Sequence, residues 1–397
     1  PLTIGLVLIA LVSSMAVVGL DQVLPSWGLG DSVRQFLEGI DFNRTLMEGM
    51  LSFLLFAGAL HVDLRTFATR KYTIGLLASL GVVMSTALNG LGFWLLTGLV
   101  GFEIPLAVCL VFGALISPTD PVAVMAVLKR LKVPPTLEAT IAGESLFNDG
   151  VAVVIYSILV AIAFQVSGHG DAAHAIGFLQ GMQLFVVEAF GGALLGLVAG
   201  TFAFMLMRNV DDYVLEIIIT LALVTGAYAL ALKLHVSGPI AMVIAGILIG
   251  NYGVRLAMSD ITQTHLRKFW DLIDEILNAV LFLLIGFEIL VVQASAAIVI
   301  LSLATIVMVT VVRFVSVGLP IKILGSRQSY VPGIIPVMTW AGLRGGISVA
   351  LVLALPDTEY KPLMLAICYA VVVFSIVVQG LTIEGLIRRI VPPVDDK

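Results

Sequence analysis

An all-α protein that crosses a membrane many times follows from three features of this sequence. Of its 397 residues, 60% are hydrophobic and only 12% charged, with a mean hydropathy of +1.11, about half the charged fraction of a soluble domain. Its 21 basic and 26 acidic side chains are too few to cover the polar surface that a water-soluble chain of this length presents. The apolar residues come in long blocks rather than alternating strands of about ten residues, the pattern of bundled transmembrane helices and not of a β-barrel. Lastly, Lys and Arg gather in every second connection between those blocks.

A helix that spans a bilayer takes about 20 apolar residues. On that measure twelve segments stand out, near 3–20, 43–62, 73–100, 104–129, 138–164, 177–207, 213–232, 237–251, 268–291, 294–320, 331–355 and 362–390. Fifteen of the 21 basic residues, from Arg65, Arg70 and Lys71 through Arg255 and Arg327 to Arg388, Arg389 and Lys397, fall in one set of alternate connections. Only Arg34, Arg44, Lys233 and Lys361 fall in the other. Loops that stay in the cytoplasm keep positive charge, so both ends of this chain are expected there. Arg313 and Arg344 remain, inside apolar segments, where an arginine must face the protein interior and have a partner.

The same inventory excludes several functions. A net charge of −5 without a dense Lys/Arg cluster argues against a nucleic-acid partner. Cys109 and Cys368 sit in apolar blocks as buried free thiols. His61, His169, His174, His235 and His265 are scattered; no nucleophile stands with a base and no HExxH motif exists, so the chain reads as a transporter and not an enzyme, with no cofactor. It begins at Pro1 without a methionine, which predicts a further segment upstream.

In the fourth segment, Ile116-Ser117-Pro118-Thr119-Asp120-Pro121 puts two prolines three apart. Each removes a backbone donor and clashes with the preceding turn, so the helix is expected to break rather than merely kink. A break at membrane depth is tolerated where it is buried or lines a watery cavity, and its carbonyls, Thr119 and Asp120 are hard oxygen ligands. The fifth segment carries Gly143-Glu144-Ser145-Leu146-Phe147-Asn148-Asp149-Gly150. Glu144 and Asn148 stack on one helical line and Ser145 and Asp149 on the next, so all four share a face. Burial disfavours a bare carboxylate, so Asp149 there holds either a proton or a cation.

The eleventh segment carries Gly342-Leu343-Arg344-Gly345-Gly346. Three glycines around an arginine weaken the helix and permit a second extended crossing. Segments three to five and ten to twelve thus repeat one plan, a broken helix in the middle of each, and paired broken helices point to a midplane site. Asp120 is placed to offset the positive helix ends and Arg344 the negative ones. Arg313 is then a candidate partner for Glu144. Asp149, with Thr119, Ser145 and Asn148, has the oxygen ligands and exchangeable charge that a small hard cation needs. Asp271, Asp274 and Glu275, beside Arg267 and Lys268, read as a solvated mouth or helix-end charge pair. Glu48, Glu188 and Glu288 read as helix contacts or a dimer surface, and Gly191-Gly192-x-x-x-Gly196-x-x-x-Gly200 as a close helix contact, within the chain or at a subunit interface.

These three motifs, in this order and spacing, resemble those of Na⁺/H⁺ antiporters of the cation:proton antiporter family 1, the NhaP-like branch related to animal Na⁺/H⁺ exchangers. The resemblance runs essentially the whole chain. It implies two inverted-topology repeats with two crossing broken helices, the NhaA/NhaP-like fold, with twelve helices here and a thirteenth upstream. It divides the chain into scaffold or dimerisation helices, 1–72 and 177–292, and a core bundle, 73–165 and 293–391. It implies that Asp149 carries the cation and the proton, with Asn148 before it, and that Na⁺ meets Asp149, Ser145 and Thr119, with Asp120 at the unwound crossing. Glu144 and Arg313 match a buried structural ion pair, and Arg344 the arginine of the second broken helix. Asn-Asp in place of Asp-Asp is associated in that family with electroneutral one-for-one exchange. The expected protein is a homodimer in the cell inner (plasma) membrane that exchanges Na⁺ or Li⁺ for H⁺ by elevator-like movement of the core, and it is expected to be of the prokaryotic type, without the long cytoplasmic tail of animal relatives. A K⁺/H⁺ antiporter of the same fold and a cation channel are the alternatives.

Overall fold

A computed structural model of the chain describes residues 2–23, 45–164, 178–208, 210–253, 258–287, 295–325 and 330–391. Arg34, Arg44, His169, His174, Arg255, Glu288, Arg327 and Lys397 lie outside the described residues. The helices, in chain order, are α1 (Leu2–Val23), α2 (45–60), α3 (Leu64–Val100), α4 (Leu106–Leu115), α5 (Val122–Leu131), α6 (Pro135–Phe164) and α7 (Phe178–Met207). They continue with α8 (Tyr213–Leu234), α9 (Gly238–Gly253), α10 (Asp260–Phe287), α11 (Ala296–Leu324), α12 (Ile334–Ala341), α13 (Gly346–Leu353) and α14 (Lys361–Ile390). Among the described residues six helices are long and apolar enough to cross a membrane: α3, α6, α7, α8, α11 and α14.

The fourteen helices among the described residues correct the count of twelve. The physical reason is backbone chemistry: the fourth and eleventh apolar segments are each cut in two, α4 from α5 at the prolines and α12 from α13 at the glycines. Two helix starts also differ. α3 begins at Leu64, nine residues before the apolar block, because Asp63 caps it: its carboxylate accepts the Arg65 N–H at 3.0 Å and the Thr66 hydroxyl at 2.9 Å. α10 begins at Asp260 rather than 268 because its first turns are amphipathic. Leu266 and Trp270 are fully buried while Arg267, Lys268 and Asp271 are exposed, a pattern that average hydropathy dilutes.

The chain forms two compact units. The first comprises the described residues of Pro1–Glu48, Met84–Val133 and Asn278–Lys397. Within it α4 lies against α3 where Gly113 leaves no room for a side chain beside the Thr86 carbonyl. α11 packs on α12 and α14, and α13 packs on α4 and α14. At the far end of α5, Arg130 and Arg388 both pair with Glu384.

The second unit is Gly49–Val83 with the described residues of Pro134–Leu277. The glycine ladder of α7 belongs here and is a contact within the chain. Gly192, Gly196 and Gly200 face the backbone of Ser237, Ala241 and Ala245, close enough that no Cβ fits at the first two, which lets α7 and α9 meet at backbone distance. Gly246 and Gly250 bring the other face of α9 onto α2. Asn251 ties the loop before α3, accepting from Leu64 N–H at 2.9 Å and donating to the Val62 carbonyl at 2.8 Å. Trp270 packs against the Phe56 ring at a tilt of 53° and donates to the Thr220 hydroxyl at 3.1 Å. Asp271 pairs with His61 at 3.0 Å, a partner from another helix's end rather than the neighbouring Arg267 or Lys268.

Candidate functional site

In the first unit, α4 ends at Leu115 and the chain leaves the helix until Val122, where α5 begins with Pro121 before it. α12 ends at Ala341 and α13 begins at Gly346. The two non-helical pieces meet as a single antiparallel bridge, Asp120 against Leu343, with the Asp120 N–H donating to the Leu343 carbonyl at 2.9 Å. That bond answers the first question any buried, non-helical backbone raises, where its polar groups go.

Side chains meet the rest. The Arg344 guanidinium, 2% exposed, donates from Nη1 to the Ser117 and Pro118 carbonyls at 2.5 and 2.8 Å. These are the carbonyls that the prolines cut loose at the C-terminal end of α4, where partial negative charge accumulates. Asp120 Oδ1 accepts the Val122 N–H at 2.9 Å at the opposite pole, the N-terminus of α5. The Ser117 hydroxyl donates to the Gly113 carbonyl at 2.6 Å and lies 3.0 Å from Ser85 and 3.3 Å from Thr86. Thr119 is buried, at 3% exposure.

The glycines of the second break are spatial requirements. A Cβ on Gly345 would collide with the Asp120 carboxylate, and one on Gly342 with the Arg313 guanidinium. Arg313, on α11, is buried and reaches towards the Met338 carbonyl at 3.5 Å. A small cavity of this unit is lined by Thr310, Arg313, Thr339, Arg344, Ser375 and Gln379, among others. Sequence reasoning did not single out Ser375 or Gln379. Both sit in an apolar stretch of α14, and nothing in their spacing marks the π-turn, Ser375–Gln379, that contains them.

In the second unit, α6 runs unbroken from Pro135 to Phe164. Glu144, Ser145, Asn148 and Asp149 are all buried on it, none above 7% exposure. The Asn148 amide donates to Glu144 Oε1 at 3.2 Å along one helical line. Close packing holds this stretch: Gly143 faces Ile74 and Phe67 of α3, Phe147 lies 5.7 Å from the Phe67 ring, and Gly150 faces Ile240 of α9. The polar side chains therefore stand on a continuous helix whose backbone needs nothing from them. Thr119, Asp120, Arg313 and Arg344 belong to the first unit and Glu144, Ser145, Asn148 and Asp149 to the second.

Residues 1–389 match the family model described as sodium/hydrogen exchanger, transmembrane. The chain belongs to the sodium/hydrogen exchanger family. Exchangers of this family are transporters, and with its six apolar spans the chain is an integral membrane protein. It is 46% identical over 396 residues to the Na(+)/H(+) antiporter NhaP of Pseudomonas aeruginosa, covering 98% of this chain and 91% of that protein. It is 35% identical over 394 residues to the Na(+)/H(+) antiporter NhaH of Halobacillus dabanensis, covering 98% and 92%. The solved structure of the sodium proton antiporter MjNhaP1 from Methanocaldococcus jannaschii superposes with a TM-score of 0.66 at 19% identity, over 98% of this chain and 97% of that one. The NhaP-like exchanger fold is thereby established for this chain.

Proposed function

We propose that this exchanger is a secondary active antiporter moving Na⁺ or Li⁺ against H⁺, one for one, with Asp149 as the shared carrier. The observation that carries this reading is the buried carboxylate of Asp149, at 7% exposure, on an intact helix beside Ser145 and Asn148. A carboxylate held in a medium of low dielectric needs a neutralising partner, and a proton and a small cation compete for its single charge. Mutual exclusion at one charge couples the two fluxes. The antiporter names of its 46% and 35% identical relatives support the same reading.

On this reading Na⁺ is bound by Asp149, Ser145 and Thr119, with Asp120 at the crossing and Asn148 leaving only one acid in the pair. Glu144 and Arg313 form a structural ion pair, and Asp120 and Arg344 compensate the helix ends of the crossing. A core bundle of 73–165 and 293–391 carries the site past scaffold helices 1–72 and 177–292 in a homodimer of the cell inner membrane, both chain ends in the cytoplasm. This is a partition by motion, separate from the partition by packing described above. Both occupied states carry the same charge, so the rate does not respond directly to membrane potential.

The test is Na⁺-, Li⁺- and K⁺-driven proton movement in proteoliposomes, wild type against Asp149→Asn, with and without an imposed potential. Loss of exchange in the variant and potential-independent wild-type rates are expected, and the ion series names the cation, K⁺ included. Exchange that survives in Asp149→Asn would overturn the reading. Currents without saturable exchange would make the protein a channel.

A further inference from the structure

Arg344 is held at both its ends. Its guanidinium lies on the Ser117 and Pro118 carbonyls, and its own N–H donates to the Ser375 hydroxyl at 2.9 Å. The Ser375 hydroxyl in turn donates to Gln379 Oε1 at 2.6 Å. Arg344 and Ser375 are each 2% exposed and Gln379 5%. The direction of these bonds is set by chemistry: a hydroxyl has one proton, Ser375 gives it to Gln379, and a lone pair is left to receive the arginine N–H.

Ser375 and Gln379 bound the five-residue π-turn of α14. Four such turns occur among the described residues, Thr45–Met50, Leu77–Gly81, Ile249–Gly253 and Ser375–Gln379; the extra residue of each re-aims side chains that a regular helix would point elsewhere, and this one carries a buried, hydrogen-bonded Ser–Gln pair. Here Ser375 receives the non-helical backbone N–H of Arg344 itself, and Gln379 stands behind Ser375. Helix stability alone gives no reason for a buried Ser–Gln pair in an apolar span, where each polar group costs free energy unless matched.

We propose that Ser375 and Gln379 are positioning residues for transport: they clamp the backbone of Arg344, and so keep its guanidinium on the carbonyls of the first break. The proposal rests on the exchange reading above. With the clamp in place the Ser117 and Pro118 carbonyls are occupied and the backbone that carries Thr119 and Asp120 has one geometry. Without it, Arg344 shifts, those carbonyls lose their donor, and Thr119 is no longer presented in a fixed position. The cost falls on cation affinity, since a ligand misplaced by a fraction of an ångström binds worse while the remaining steps stay intact.

The experiment compares Ser375→Ala, Gln379→Leu and the hydroxyl-retaining Ser375→Thr with wild type. Two measurements are made: the Na⁺ concentration dependence of exchange in proteoliposomes, and hydrogen–deuterium exchange of the 117–122 amides in detergent. Ser375→Ala and Gln379→Leu are expected to raise the KM for Na⁺ about tenfold, with the maximal rate within about twofold of wild type, and to speed amide exchange at Asp120 and Val122. Ser375→Thr is expected to restore both. An unchanged KM, or a maximal rate falling in step with melting temperature at constant KM, would overturn the proposal, as would unaltered amide exchange at 117–122. Should wild type drive no Na⁺-linked proton movement, the exchange reading fails, and the amide data still decide whether the clamp exists.

Discussion

At 117–121 and 342–345 the backbone leaves the helix, and its polar groups are met from outside: Asp120 bonds Leu343, Arg344 covers the Ser117 and Pro118 carbonyls, and Ser375 takes the Arg344 N–H. At 143–150 the backbone stays helical, and four polar side chains stand on it, buried and closely packed. Both regions put polar groups into surroundings that penalise them, by opposite means. In the crossing, the side chains serve the backbone, so removing one removes structure. On α6 the backbone serves itself, and on the proposed reading its side chains carry the exchange chemistry.

The sharpest way to break this contrast is to compare Arg344→Leu with Asp149→Asn. Leucine strands two buried carbonyls, at about 3 kcal/mol or more, and the variant is expected to lose most folded protein by size-exclusion chromatography after detergent extraction. Asparagine is nearly isosteric at position 149, so the melting temperature is expected within a few degrees of wild type while exchange disappears. Equal destabilisation of the two variants would end the distinction.

Glycine replacements sharpen it next. Gly345→Ala drives a methyl group into the Asp120 carboxylate, which the bridged backbone cannot yield to, at a cost of about 1–3 kcal/mol. Gly150→Ala meets Ile240 Cγ1 at 2.7 Å, with no backbone atom nearer than 3.7 Å; the contact must yield by a few tenths of an ångström, and about 1 kcal/mol of helix propensity offsets the cost. Melting curves of the two variants are expected to differ clearly, with Gly150→Ala close to wild type.

The smallest effect belongs to a helix end outside both regions. Asp63→Ala removes the cap of α3, worth about 1 kcal/mol. The Arg65 N–H, helped by the Thr66 hydroxyl, holds the Asp63 carboxyl below its ordinary value. A lowered folded value means that the cap contributes fully above the ordinary carboxylate range and is lost as pH falls through the lowered one. The stability difference between wild type and variant is therefore expected to be constant around neutrality and to vanish only in acid, as read by melting temperature against pH.

Much of this was legible in the residues, for reasons that vary by element. Twelve apolar segments were readable because the bilayer sets a length, and the two breaks because Pro118, Pro121 and the glycines about Arg344 violate helix chemistry locally. The starts of α3 and α10 were not, since Asp63 acts through a cap and the first turns of α10 through an amphipathic face, and neither raises mean hydropathy. The glycine ladder of α7 announced a close contact without saying with what; its partner is α9 of the same chain.

By itself the sequence determined the class, the segments, the places where the helix must break and the buried polar face of α6. All of these follow from interactions between residues a few positions apart, which proline, glycine and the 3.6-residue period control. Only the tertiary structure decided that Arg344 ends on Ser117 and Pro118, that Asp120 bridges Leu343, and that a π-turn in α14 aims Ser375 and Gln379 at the arginine. Those contacts join residues 31 to more than 220 positions apart, and a donor finds so distant an acceptor only through the packing of the helices between them.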